Sequence, residues 1–176
     1  MSRGKWTVRA TASIRAKPHS VVAWFQDPDR IEELVSELAK QGDCSIENSS
    51  TEAVRIRDVR VLTPSGSSIH MRTETQLGPD GRPGTWSGDQ FRLVGHAFNH
   101  VRRSNGSQET KTWDTTTTIA PIGDDLAEIV ITQHQQFVDP RWFQWLLPPV
   151  TEQTLKRRRL RDLVRRCEAE LRTLTE

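Results

Sequence analysis

Hydrophobic and polar residues alternate along the first stretch of the chain. Trp6, Val8, Ala10, Ala12 and Ile14 fall on one side, with Lys5, Thr7, Arg9, Thr11, Ser13 and Arg15 on the other. This period of two predicts a half-buried strand, because successive side chains of extended backbone point to opposite faces. The period changes after Pro18, where Val21, Val22, Trp24 and Phe25 form an apolar stripe at helical spacing, ended by Asp27-Pro28. A second short helix is expected next, since Ile31, Leu34, Val35 and Leu38 keep the i, i+3, i+4, i+7 spacing and Gln41-Gly42 supplies a stop.

Beyond Gly42 the chain reads as strands, broken by turn chemistry at Asn48 to Ser50, Pro64-Ser65-Gly66, Gly78-Pro79-Asp80-Gly81, Asn105-Gly106 and Gly123-Asp124. These breaks delimit strands near Cys44 to Asn48, Ala53 to Leu62, Ser67 to Leu77, His96 to Ser104, Gln108 to Ala120 and Leu126 to Val138. The stretch Arg82 to Leu93 holds Pro83, Gly84 and Gly88, which disfavour a regular strand and suit a mobile flap. From Pro140 the helical period returns, with Leu160, Leu163, Val164, Cys167, Leu171 and Leu174 on one stripe and most of the basic residues on other faces. Pro148-Pro149 sits near the start of this long helix, where proline is tolerated.

Composition narrows the picture without changing it. A chain of 176 residues suits one domain, 1–176, with a core of its own. Its net charge of +2 provides no global field toward DNA, RNA or membrane. Cys44 and Cys167 stand far apart without CxxC spacing, so neither a disulfide framework nor a zinc site is expected, and free thiols suit a reducing, cytoplasmic compartment. Neither a leader-type apolar segment nor a run of about 20 apolar residues is present.

Three stretches carry a family resemblance: the first strand running into "KPHSVVAWFQDPDRIEEL", the hairpin "KTWDTTTTIAPIGDDLAEIVITQHQQF", and the terminal helix after "RWFQWLLPPV". With the order of elements, they resemble the SRPBCC superfamily of START-like lipid carriers, plant allergen-type ligand binders and bacterial polyketide cyclases. The resemblance covers the whole chain. It implies an α+β helix-grip fold, a curved seven-stranded antiparallel sheet around a long C-terminal helix, with two short helices after strand 1. It also implies a cavity between sheet and helix, gated by loops, and it brings no universal catalytic residue.

If Met71, Asn99, Trp113 and Ile131 face the terminal helix, then Thr73, Thr75, Thr115, Thr117, Gln133 and Gln135 share that face by period two. A dry core would not take so many hydroxyls and amides, since burying one unpaired costs about 1 to 3 kcal/mol, and a partly hydrated pocket explains them better. Trp24, Trp86, Trp113, Trp142 and Trp145 are placed to wall such a pocket. Trp24 and Trp113 read equally well as ordinary core, whereas Trp86 and the pair Trp142 and Trp145 read as gate residues. The candidate ligand-binding set is Met71, Thr73, Trp86, Asn99, Trp113, Thr115, Ile131, Gln133, Trp142, Trp145, Leu146 and Val150. The expected partner is a small apolar ligand, lipidic, aromatic or polyketide-like.

Other chemistries are weaker. His96 and His100 would lie roughly 13 Å apart on one strand face, too far to share an ion, so we expect no metal and no cofactor. There is no GxSxG nucleophile elbow. A cyclase or dehydratase-like enzyme would need an acid or base such as Asp58, Glu74, Asp114 or His134 turned inward beside Arg57 or Arg72. The simpler reading puts these residues on a solvated outer face. Lys156, Arg157, Arg158, Arg159, Arg161, Arg165, Arg166 and Arg172 suggest a rival contact with RNA, a ribosome or an anionic membrane. Glu152, Asp162, Glu168 and Glu170 dilute that cluster into a solvated helix face.

Overall fold

The computed structural model describes residues 5–27, 42–137 and 149–173. The expected helix around Ile31, Leu34, Val35 and Leu38 lies outside the described residues, as do Trp142, Trp145, Leu146 and Leu174.

The elements follow in the order β1 (Lys5–Ile14), α1 (Pro18–Gln26), β2 (Asp43–Ser50), β3 (Val54–Leu62), β4 (Ser68–Gln76), β5 (Thr85–Ser87), β6 (Gln90–Arg102), β7 (Gln108–Gly123), β8 (Leu126–Phe137) and α2 (Pro149–Thr173). All strands pair antiparallel in one sheet of order β1-β8-β7-β6-β4-β3-β2, with β5 attached to β6. The sheet therefore has eight strands, one more than the seven expected.

The eighth strand comes from the stretch expected to be a flap. Gly84 and Gly88 both have positive φ, 83° and 64°, which lets the chain reverse on either side of Thr85–Ser87 so that these residues pair with Gln90–Arg92. A Cβ on Gly84 would strike the Phe91 ring, so glycine is needed there twice over. The hairpin also extends β6 back to Gln90, six residues before the expected start at His96.

Residues opposite one another across the strands share a face. One row runs from Gln135 through Trp113, Ala97 and Thr73 to Arg57 and Asn48. The next row runs through Lys111, Asn99, Met71 and Val59. Further along the same face lie Ile129, Ile119 and Phe91, which pack with Ala10, Ile14 and Ala127 against Val21, Val22 and Trp24 of α1 and Val164 and Cys167 of α2. These contacts identify the inner, helix-covered face. Each aliphatic or aromatic side chain fully buried there contributes about 1.5 to 3 kcal/mol.

Polar ties join the two helices to each other and to segments beside the strands. Trp24 Nε1 donates to Glu170 Oε2 at 3.0 Å, Arg166 Nε donates to Glu170 Oε1 at 3.0 Å, and the Arg15 backbone N–H donates to Glu168 Oε1 at 2.9 Å. Gln26 Nε2 donates to the Pro83 carbonyl at 2.7 Å, joining the end of α1 to the loop before β5. Cys167 is fully buried in the helix–sheet core, and neither cysteine is in a disulfide. Among the described residues no helix is long and apolar enough to cross a membrane.

Candidate ligand-binding site

The inner face has two ends of different character. Around α1 and the second half of α2 it is a dry core, with Ile14, Phe91, Ile119, Ala127 and Ile129 each at most 1% exposed. Toward the other end, β6, β7 and β8 carry Asn99, Trp113, Thr115, Gln133 and Gln135, and the neighbouring β4, β3 and β2 add Thr73, Arg57 and Asn48. Gln135 is 2% exposed, Thr117 5% and Arg57 9%, so these polar groups are withdrawn from water.

Part of this polar end is internally paired. Gln135 Nε2 donates to Gln133 Oε1 at 2.7 Å, Gln133 Nε2 donates to Thr115 Oγ1 at 3.1 Å, and Arg57 Nε donates to Asn48 Oδ1 at 2.9 Å. Three buried atoms are left over: Arg57 Nη1, Asn99 Oδ1 and Gln135 Oε1 have no hydrogen-bond partner. Leaving such a group unpaired costs about 1 to 3 kcal/mol, and folded proteins rarely leave several together without water or a ligand to satisfy them.

Of the candidate residues, Met71, Thr73, Asn99, Trp113, Thr115, Ile131 and Gln133 lie together on the inner face. Met71 extends the polar end with an apolar patch, packing against Val59 and Val61 beside Cys44 and Ile69. Trp86 sits apart from them, on β5 at the dry end. It is 40% exposed, with its ring 4.6 Å from His19 of α1 and 5.5 Å from Phe91. Val150 lies in the first turn of α2. Trp24 takes the core alternative: it is buried, and its indole N–H is used by Glu170.

Arg57 and Gly95 are inner-face residues that the sequence did not single out. Arg57 was grouped with the outer acids, and its parity is that of Val59 and Val61, which the structure buries. Gly95 lies between Thr75 and Thr115 on that face, leaving bare backbone in the middle of the polar end. An added Cβ would meet only Glu74 O, at 3.5 Å.

The acids and the histidine considered for catalysis occupy the outer face, together with His96 and His70. His134, Asp114, His96 and Glu74 form one row, and Arg72 and Asp58 belong to the next. There they pair with one another: His96 Nδ1 with Asp114 Oδ1 at 2.6 Å, His70 Nε2 with Asp58 Oδ1 at 2.8 Å, and Arg72 Nε with Glu74 Oε1 at 2.9 Å. None of the four acid or base candidates stands beside Arg57 on the inner face. A depression of about 480 Å³ at the ends of β2, β3 and β4 is lined by Arg60, Val61, Ile69 and His70 among others. It takes in residues of both faces and belongs to the sheet edge.

No protein-family model matches the chain, and no curated protein does. Solved structures do. A conserved protein from Geobacillus kaustophilus superposes with a TM-score of 0.55 at 12% identity, covering 96% of each chain. Ara h 8.0201 superposes with a TM-score of 0.54 at 13% identity, over 97% of this chain and 99% of its own. The Zhui aromatase/cyclase of a Streptomyces species reaches 0.50 at 10% identity, over 98% and 96%. At such low identity the likeness speaks for architecture alone, and it extends from the first strand to the terminal helix: the chain has an SRPBCC-type fold.

Proposed function

We propose that the chain acts as a single domain that binds a small molecule with an apolar, ring-bearing or acyl body between the inner sheet face and α2. One observation carries this reading: three buried polar atoms without partners, on Arg57, Asn99 and Gln135, lie on the sheet face whose other end is tightly packed under the helices. Protein interiors do not gather such groups for stability, whereas binding sites combine apolar walls with a few convergent polar atoms.

A cyclase-like enzyme is the less favoured reading, because the acids and the histidine considered for it face outward. A nucleic-acid or membrane contact through α2 gains no support either. Exposed Arg161 and Arg165 flank exposed Asp162, and Arg166 is paired with Glu170.

The test is native mass spectrometry of the gently purified full chain, followed by tryptophan-fluorescence titration. A stoichiometric apolar adduct that shifts the tryptophan emission supports the reading. An empty protein whose emission ignores fatty acids, quinones and aromatic polyketide mimics overturns it.

A further inference from the structure

On the described strands, the polar end of the inner face carries Arg55 and Arg57 of β3 and Lys111 of β7, all cationic. The one carboxylate of the same parity on the described strands, Glu109, stands at the start of β7 and is held by Arg103 Nη2 at 3.0 Å.

Arg57 is the buried member of this set. It is 9% exposed, and its Nε is satisfied by Asn48, a neutral acceptor. That hydrogen bond fixes the plane of the guanidinium, and Nη1 is left buried with no acceptor. No carboxylate pairs with Arg57 among the described residues. A guanidinium keeps its charge in any protein environment, so a buried one needs an anion or a set of oxygen acceptors. The chain supplies one neutral oxygen. Asn99 Oδ1 and Gln135 Oε1 are acceptors, and they call for donors from the same ligand.

We infer that the ligand is an organic acid: an apolar body with an anionic oxygen group that binds Arg57, and hydroxyl or amide hydrogens turned toward Asn99 and Gln135. This deepens the proposed function and rests on it. The distances bound the ligand's size. Arg57 and Gln135 stand four strand spacings apart, roughly 19 Å measured along the sheet, so a molecule touching both ends has the length of several fused rings or a medium acyl chain.

The experiment compares two probes of nearly the same aromatic body, anilinonaphthalene sulfonate, which is anionic, and N-phenylnaphthylamine, which is neutral. Titrations use the full-length wild-type chain, R57Q and R57K. The wild type is expected to bind the sulfonate about tenfold or more tightly than the amine, the usual return on a charge-assisted hydrogen bond. In R57Q this preference should fall to about twofold or less while the amine affinity holds, and R57K should keep part of it. Equal wild-type affinities, or a preference that survives in R57Q, overturn the acid inference and leave the cavity standing. If neither probe binds the wild type, the inference and the cavity fall together. Should R57Q not fold, the wild-type ratio and its retention in R57K decide.

Discussion

The two ends of the inner face share β6, β7 and β8 and do opposite things, the polar end running on across β4, β3 and β2. β8 shows the contrast in one element: Ile129 is fully buried in the core under the helices, and Gln135, about 20 Å further along, is equally buried yet carries an oxygen with no partner. At the dry end every buried group named is apolar or, like the Trp24 indole, hydrogen-bonded. At the polar end the structure accepts unpaired groups. On the proposed function, stability and recognition are separated along the sheet, so that one end tolerates imperfection because the other holds the fold.

That division is best broken at Phe91, which is 1% exposed and supports both Gly84 and Trp86. Phe91→Ala should cost about 3 to 5 kcal/mol in urea or guanidinium unfolding. A loss under 1 kcal/mol would show that the dry end is not the anchor. Next in size is Gly95→Val, which puts a side chain in the middle of the polar end at a position where the Cβ itself meets only Glu74 O, at 3.5 Å. It should leave the melting temperature within a few degrees while weakening N-phenylnaphthylamine binding about tenfold, or about 1.4 kcal/mol. Unchanged binding would place the ligand elsewhere.

Asn99→Val sharpens the contrast by reversing its sign. Removing a buried unpaired carbonyl and adding a β-branched residue to a strand should stabilise the ligand-free chain by about 1 kcal/mol in the same unfolding assay. Destabilisation of that size would mean that Asn99 is already satisfied in the folded protein. The smallest effect belongs to Asp114→Asn on the outer face. Its hydrogen bond with His96 has both side chains largely exposed, at 48% for His96 and 67% for Asp114, so stability should change by less than about 0.5 kcal/mol and probe affinity not at all. A strong loss of binding would mean that the outer row reaches the site.

The inner face was legible wherever alternation ran unbroken. Met71 and Thr73 on β4, Trp113 and Thr115 on β7, and Ile131 and Gln133 on β8 share the inner face as their spacing required. The first part of β6 was hidden because Gly95 interrupts the pattern that Phe91 and Leu93 begin, and because β5 exists only through its pairing with β6. Three residues between two glycines have no strand signal of their own; partner and position make them one. Arg57 was obscured for another reason. It stands in a run of alternating charges, Arg55, Arg57, Asp58 and Arg60, where charge suggests solvent, and only the burial of Val59 and Val61 reveals which parity turns inward.

The pairing of β1 with β8 bears on how the molecule forms. Lys5 to Ile14 find their hydrogen-bond partners at Gln136 back to Ala127, and the helix that packs on β1 follows later still. On the ribosome, the apolar side of β1 must therefore wait until most of the chain has emerged, because strand closure across so long a loop is slow and comes late in folding. Nascent or C-terminally shortened chains will expose that strand to chaperones and to one another, and a fragment ending before Leu126 is expected to aggregate rather than fold.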